Sequence, residues 1–546
     1  MVDKYFELFR DIYKNVDLLY GNKKPEAPEI VRFLNIEKAA KILYRHIVAG
    51  STIGIHTDVD MDGVGSCYIF RNWLLSCRPD LTVDCWINKR KQHGIDDSKV
   101  AAFNTTGKYD LLIILDSSTN EVESVKKLTC DCIVIDHHEV DIPINELIGN
   151  TAGITTKPDI FSDEYKKHPD VKIERCCEYV ILNSLVDNPD GYEASDTMSA
   201  GLATYEFLRF FQDYFSLPYN VLEALKLYQW AVITLFTDKM NNDHPRNIYY
   251  IQLARGMSEK ESGLSQMLHS LNCESLYISK SDINFTLAPT FNTAIRTGHS
   301  AEAINLALRE PGQVIKLRDY RAIQQNALLG FDENINLNEK YVTKDITKET
   351  IEDELFSNYT GLIAMKLLDK FNRTALVYQI VGDNIAKGSF RGLLDSLDYR
   401  QLISDLGYVS QGHKTAFGFE IPVSELDTVM QYLAKQEEAT NQEAFYLTAG
   451  NVKNRGKHHI DDIADFRATG NLWKLGILNS ILSSDTNIVI SSDDLEFRAV
   501  NTKGNYYTYN LKGITVHSFE EITTPLADMY VEFQDNLKIY IRNKYH

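Results

Sequence analysis

Nowhere in the 546 residues does an apolar run approach the ~20 needed to cross a bilayer. The opening stretch, MVDKYFELFRDIYKNVDLLYG, is charged throughout and lacks the apolar centre of a secretion signal. Cysteine is scarce: eight residues, no CxxC pair and no regular spacing, which excludes a disulfide framework. Cys130 and Cys132 stand one residue apart, poor spacing for thiolate-bound zinc. Repeats and low-complexity tracts are also missing. These absences leave a cytoplasmic protein without a membrane segment as the expectation. There is no basic excess either. The net charge of −19 argues against a protein that coats duplex nucleic acid with a basic face. It leaves room for a small substrate, or for a local basic groove on an acidic surface.

What is present is ordinary globular composition, 44% hydrophobic and 24% charged, in a chain too long for a single core. Residues 1–50 have helical periodicity, in Tyr5–Leu19 and Ile36–Ile47. From Thr52 the pattern changes to short apolar runs, Thr52–His56, Thr82–Ile87, Leu111–Leu115 and Cys132–Ile135. They alternate with helical stretches that include Phe70–Leu75 and Val122–Leu128. That alternation predicts an α/β fold with a doubly wound parallel sheet over residues 51–255. Residues 141–195 are polar and turn-rich and are expected to be an insertion. A helical connector is expected over 256–350, a second, smaller α/β domain over 351–435, and a β-rich region over 436–546. In that last region Trp473, Phe497, Tyr506, Tyr507 and Tyr509 are expected to be mostly core.

The chemistry concentrates at strand ends. The first strand runs into His56-Thr-Asp-Val-Asp-Met-Asp-Gly63. Extended chain would turn His56, Asp58, Asp60 and Asp62 to one side. Carboxylates crowded in this way repel one another unless a cation neutralises them. The next strand ends in Asp116-Ser-Ser and the following one in Asp136-His137-His138. Asp238 follows the apolar stretch Ala231–Phe236. Taken singly, each could be a cap or a surface loop. Together they supply oxygen and imidazole donors suited to Mn²⁺ or Mg²⁺.

In this order, H-T-D-V-D-M-D-G, L-D-S-S, D-H-H and T-D-K-M resemble the four motifs of the DHH phosphoesterase family. The likeness extends to the RecJ branch of that family. Asn88–Ile95 is similar to that branch's arginine-and-glycine loop, and Phe285–Arg296 to its Ala-Pro segment. Gly361–Ala375 is similar to the opening of its associated substrate domain. Gly388–Gly392 and Gly412–Ala416 resemble the two glycine-rich substrate loops there. Thr290, Ile295 and Gln411 depart from the pattern at substrate contacts.

The resemblance implies two divalent cations, Mn²⁺ preferred over Mg²⁺, held by His56, Asp60, Asp62, Asp116, His137 and Asp238. Asp116 and Asp238 would be the shared carboxylates. His138 would bond the scissile phosphate, with Asp136 and Asp58 in support. Arg90, Arg296, Ser389, Arg391, Gly412 and His413 would contact substrate. Gly388, Gly392 and Gly412 would let backbone amides close on a phosphate. The implied activity is 5′-to-3′ exonuclease action on single-stranded DNA, more than RNA, in repair or recombination. Cleavage of short oligoribonucleotides or cyclic dinucleotides is the alternative within the same chemistry. A non-catalytic nucleic-acid scaffold is the alternative outside it. Residues 436–546 are expected to have room for a protein partner.

Overall fold

The structure is a computed structural model. It describes residues 27–147 and 177–439 apart from 89–92, 218–219, 239, 241–243, 255–262, 274–281, 372 and 395–396. Beyond 439 it describes the strands named below, with residues 506 and 521–523. The chain divides into two units at Gln325 and Asn326. The helix expected in Tyr5–Leu19 lies outside the described residues.

The first unit opens with α1 (Ile36–Ala49), which stops where Gly50 turns left-handed and returns its amide to the last turn. Then follow β1 (Ile53–Thr57), α2 (Met61–Cys77), β2 (Val83–Ile87), α3 (Asp97–Thr106), β3 (Leu111–Leu115), β4 (Asp131–Asp136) and β5 (Tyr179–Asn183). All five strands are parallel, in the order β2-β1-β3-β4-β5. β3, LLIIL, is apolar at every step because both faces are covered. Leu111, Ile113 and Leu115 of β3 enter one core while Leu112 and Ile114 enter another. This is the doubly wound sheet expected from the sequence. β5 is a correction, since it falls within the stretch read as an insertion. Its YVILN is buried throughout, but the polar residues around it hide a short strand. Residues 148–176 of that stretch lie outside the described residues.

Two further helices bear on the site. α4 (Ala200–Tyr214) is capped by Ser199, and α5 (Tyr228–Thr237) is buried on all sides along nearly its whole length. Gly65 of α2 and Gly201 of α4 both lie against Thr234 of α5, where an added Cβ would sit at 2.4 and 2.3 Å. Glycine is required there for the three helices to meet. Farther along comes α6 (Ala288–Arg296).

The second unit contains β6 (Ile335–Leu337), β7 (Tyr341–Asp345), α7 (Thr360–Phe371), β8 (Thr374–Val381), β9 (Ile385–Arg391), β10 (Val409–His413), β11 (Ala416–Pro422) and α8 (Val423–Ala439). Its sheet runs β10-β11-β9-β8-β7-β6 and is antiparallel except where β7 meets β8. β6 and β7 correct the expected connector. They belong to this sheet, paired antiparallel across the turn at 338–340. The last region contributes an eight-stranded mixed sheet: β12 (Ala444–Leu447), β13 (His459–Ile460), β14 (Asn487–Ser491), β15 (Leu495–Arg498), β16 (Tyr507–Leu511), β17 (Ile514–Ser518), β18 (Leu526–Glu532) and β19 (Lys538–Tyr545). Tyr509 is buried in it.

Candidate metal centre

Register assembles the first part of the site. Thr57 lies opposite Leu115, and Leu115 opposite Ile135. The residues that follow, Asp58, Asp116 and Asp136, therefore form one row at the carboxyl ends of β1, β3 and β4. The Asp58 amide donates to the Leu115 carbonyl (3.2 Å), and the Asp116 amide to that of Ile135 (2.9 Å). Strand order reverses between β1 and β3, the place where open α/β sheets bind ligands. Asp116 and Ser118 adopt left-handed backbone, with φ of 64° and 78°, a conformation that costs energy for residues with a side chain.

Asp60 and Asp62 arrive by another route. Asp60 caps α2, its carboxylate accepting from the amides of Asp62 (2.9 Å) and Gly63 (3.1 Å). Asp62 therefore lies in the first helical turn, not on the extended face that the alternation argument supposed. Its carboxylate accepts from the amides of Ala200 (2.8 Å) and Gly201 (2.9 Å), at the start of α4. The positive end of that helix suits an anion. Asp238 follows the last residue of α5, and its Oδ2 is 3.3 Å from His137 Nε2.

The same His137 nitrogen lies 3.3 Å from Asp116 Oδ1 and 3.6 Å from Asp62 Oδ2. Ligand atoms of Asp62, Asp116 and His137 fall within 4.8 Å of one another, as do those of Asp58, Asp60 and Asp116. Asp116 is common to both groups. Neither of its buried carboxylate oxygens accepts a hydrogen bond. Burial first, and then the charges of Asp62, Asp60, Asp58 and Asp238, hold its carboxyl well above the usual range. Burial and the charges of Asp238 and Asp60 do the same to Asp62. The unsatisfied oxygens and mutual repulsion are what hard cations would relieve. Three-carboxylate groups with an imidazole are the donor set such ions take.

Beside this cluster stands a fixed histidine. Asp136 Oδ1 accepts from His138 Nδ1 at 2.7 Å and from the His137 and His138 amides, while Oδ2 accepts from the Thr119 amide. Burial disfavours a charged ring, yet the charge and hydrogen bond of Asp136 push His138 up to about 10. Asn183, at the end of β5, donates to Thr119 Oγ1 and to the His138 carbonyl, both at 2.9 Å, and pins the loop.

His56 joins no such group among the described residues. Its Nε2 lies 3.2 Å from Asn88 Oδ1, and the Trp86 and Phe103 rings flank it. Burial lowers it to about 4, and its buried Nδ1 has no hydrogen-bond partner. Arg90 lies outside the described residues. Arg296 closes α6, half-buried.

The second unit's expected contacts, Ser389, Arg391, Gly412 and His413, lie on β9 and β10. Ser389 is buried, its hydroxyl 2.8 Å from that of Thr360. Arg391 donates to the Phe390 carbonyl. Gly388 lies within β9, paired on both sides, so the expected phosphate loop is a sheet strand. A Cβ at Gly388 would meet the Val377 carbonyl at 2.0 Å, and one at Gly392 the Tyr399 ring at 2.3 Å. Strand and ring packing requires these glycines without any anion. Gly412 and His413 end β10 at the hairpin to β11, and Gly412 has φ of 132°.

Two residues at the site escaped the sequence reading. Asn183 lay in the presumed insertion. His93 lay within the arginine-and-glycine run, where only the arginine drew notice. Its Nδ1 is 2.7 Å from Asp58 Oδ2.

Residues 52–157 match the DHH family, N-terminal domain. The chain is 24% identical over 447 residues to the putative SPbeta prophage-derived single-strand DNA-specific exonuclease YorK of Bacillus subtilis (strain 168), covering 75% of this chain and 70% of that one. It is 23% identical over 472 residues to the single-stranded-DNA-specific exonuclease RecJ of the same organism, covering 81% of this chain and 52% of that protein. Among solved structures, RecJ from Thermus thermophilus in complex with Mn²⁺ is similar with a TM-score of 0.63 at 15% identity, over 99% of this chain and 77% of that one. Exonuclease RecJ bound to manganese gives 0.51 at 18% identity, over 76% and 97%. The structural likenesses establish the fold. With the domain match and the exonuclease relatives, they indicate a metal-dependent phosphoesterase.

Proposed function

We propose that this chain, whose residues 52–157 match the DHH family, N-terminal domain, is an exonuclease that hydrolyses single-stranded DNA from the 5′ end with two divalent cations, Mn²⁺ preferred. The observation that carries the reading is Asp116, a buried carboxylate without hydrogen-bond donors that two groups of acidic and imidazole ligands share. Asp62, Asp116, His137 and Asp238 would hold one cation, and Asp60 and Asp116 the other. Bound there, two cations supply Lewis-acid charge to the phosphoryl oxygens and lower the pKa of water at neutral pH.

The protein's own residues do the rest. Asp136 fixes the His138 ring through Nδ1, which presents Nε2 as a donor to a phosphate oxygen. A donor already aimed at the place where charge builds needs no reorganisation during the reaction. Asn183 keeps the carbonyl side of that loop from drifting. Asp62, tied to the start of α4, keeps its carboxylate from swinging when substrate enters.

The exonuclease names of the sequence relatives support DNA as substrate. The net charge of −19 favours a second reading, cleavage of short oligoribonucleotides or cyclic dinucleotides. End-labelled single and double strands of DNA and RNA, a dinucleotide and Mn²⁺ decide between them. Rapid cleavage of the dinucleotide alone would sink the exonuclease reading.

A further inference from the structure

Among the described residues, two histidines at the centre have Nδ1 held by a carboxylate, and the reading above uses only one. Asp136 holds His138 Nδ1 at 2.7 Å. Asp58 holds His93 Nδ1, also at 2.7 Å. Both acids are 1% exposed and belong to the same row of strand ends. Asp58 lies within 4.8 Å of the ligand atoms of Asp60 and Asp116, so the His93 ring stands one carboxylate away from the proposed cations. It is not buried there: the side chain is 54% exposed. A buried anchor with an exposed ring is the arrangement expected of an imidazole that faces an incoming ligand.

The backbone also aims it. Gly94 follows with φ of 64°, and a Cβ there would lie 2.9 Å from Ser118 Oγ. The Ile95 amide donates to the same Ser118 hydroxyl at 3.1 Å. Lys99 Nζ donates to the Gly94 carbonyl at 2.8 Å. Residues 94 and 95 are thus strapped to the loop that follows β3, the one that carries Asp116. His93 leaves that strap pointing back to Asp58. A surface histidine with no role requires none of these three fixtures.

We propose that His93 is a second phosphate-contacting imidazole. It would donate Nε2–H to the reacting phosphodiester as a partner to His138, while Asp58 serves as its anchor in preference to serving as a metal ligand. The inference rests on the phosphodiesterase reading of the same site. It predicts that His93 acts on turnover and not on cation binding, because its Nδ1 is engaged by Asp58 and its Nε2 is turned to substrate.

The experiment uses the full chain with Mn²⁺ and two substrates, a single-stranded oligodeoxynucleotide and the generic diester bis(p-nitrophenyl) phosphate. His93→Ala should lower kcat about 30- to 100-fold on both, with Mn²⁺ affinity by calorimetry within about twofold of wild type. His93→Gln, which keeps an amide donor at similar reach, should recover part of the loss. Turnover of His93→Ala within about threefold of wild type would overturn the proposal. So would a parallel loss of Mn²⁺ affinity, since His93 would then be a ligand. Wild-type protein that cleaves the diester but not the oligonucleotide would refute only the nuclease reading and leave the His93 comparison intact. Wild-type protein inert on both would overturn both readings.

Discussion

Replacing Asp116 with asparagine separates the energetics of the centre from its chemistry. Asparagine is nearly isosteric and tolerates the left-handed backbone that residue 116 adopts, so the loop should keep its course. Carboxylate oxygens within 4.8 Å of one another repel by about 3.5 kcal/mol or more at an effective dielectric of 20. Partial protonation in the cation-free protein relieves some of this, because the acids here are pushed above their usual range. A net relief of about 1–3 kcal/mol on Asp116→Asn remains. For a unit of this size that raises Tm in EDTA by roughly 2–6 °C. With saturating Mn²⁺ the order should reverse. Each cation at a hundredfold excess over Kd adds about 2.7 kcal/mol to wild type, and the variant should lose most of both contributions. Turnover should fall by about 10³ or more, equivalent to about 4 kcal/mol of barrier. Paired thermal scans with EDTA and with Mn²⁺, beside a nuclease assay, read all three effects. A variant less stable than wild type in EDTA would refute the claim that these acids are mutually strained. Near-normal turnover would refute the shared-ligand role.

Three other outcomes are expected. His138→Ala should reduce kcat by about 10²–10³ while the Mn²⁺-induced rise in Tm persists, which kinetics and scanning together report. Asn183→Ala strips a donor from Thr119 and from the His138 carbonyl, and should cost about 1–3 kcal/mol in urea unfolding with a turnover loss of about tenfold. The third lies at the amino end of β4, where Asp131 accepts from His46 Nε2 (2.8 Å), from Arg45 and from the Glu178 amide. Burial alone would raise its carboxyl, but those partners outweigh burial and hold it below the usual value. A depressed carboxylate stabilises above its unfolded pKa of about 4, and that contribution disappears as pH falls through the folded value. Asp131→Asn should therefore be less stable than wild type at pH 7, with the difference shrinking below about pH 4. Denaturant midpoints across pH test it, and a pH-independent difference would count against the account.

The sequence was most legible where one period governed. The runs at β1, β3 and β4 are apolar and bounded by acids, so both the sheet and Asp58, Asp116 and Asp136 at its rim could be read directly. Asp62 reached the right cluster for the wrong reason. Alternation along extended chain pointed to it, whereas a helical turn and two amides of α4 place it, and no local pattern encodes a partner 138 residues away. His56 fitted the alternation but met aromatic rings and Asn88, neighbours that only the folded sheet brings. β5 and Asn183 were lost because a five-residue strand among polar residues lacks the length to stand out. Gly388 and Gly392 looked like an anion loop because glycine signals close approach without saying to what. Here the close neighbour is Val377 and the Tyr399 ring.

The tie between Asp62 and the start of α4 bears on how the protein is made. Three strands and their acids leave the ribosome early, yet the amides that steady Asp62 come only with Ala200 and Gly201, and Asp238 later still. A nascent chain halted before that point should bind Mn²⁺ weakly, however well its sheet has formed. Metal capture would then be a late event in synthesis, and a fragment trimmed to residues 52–157 should bind Mn²⁺ more weakly than the full chain.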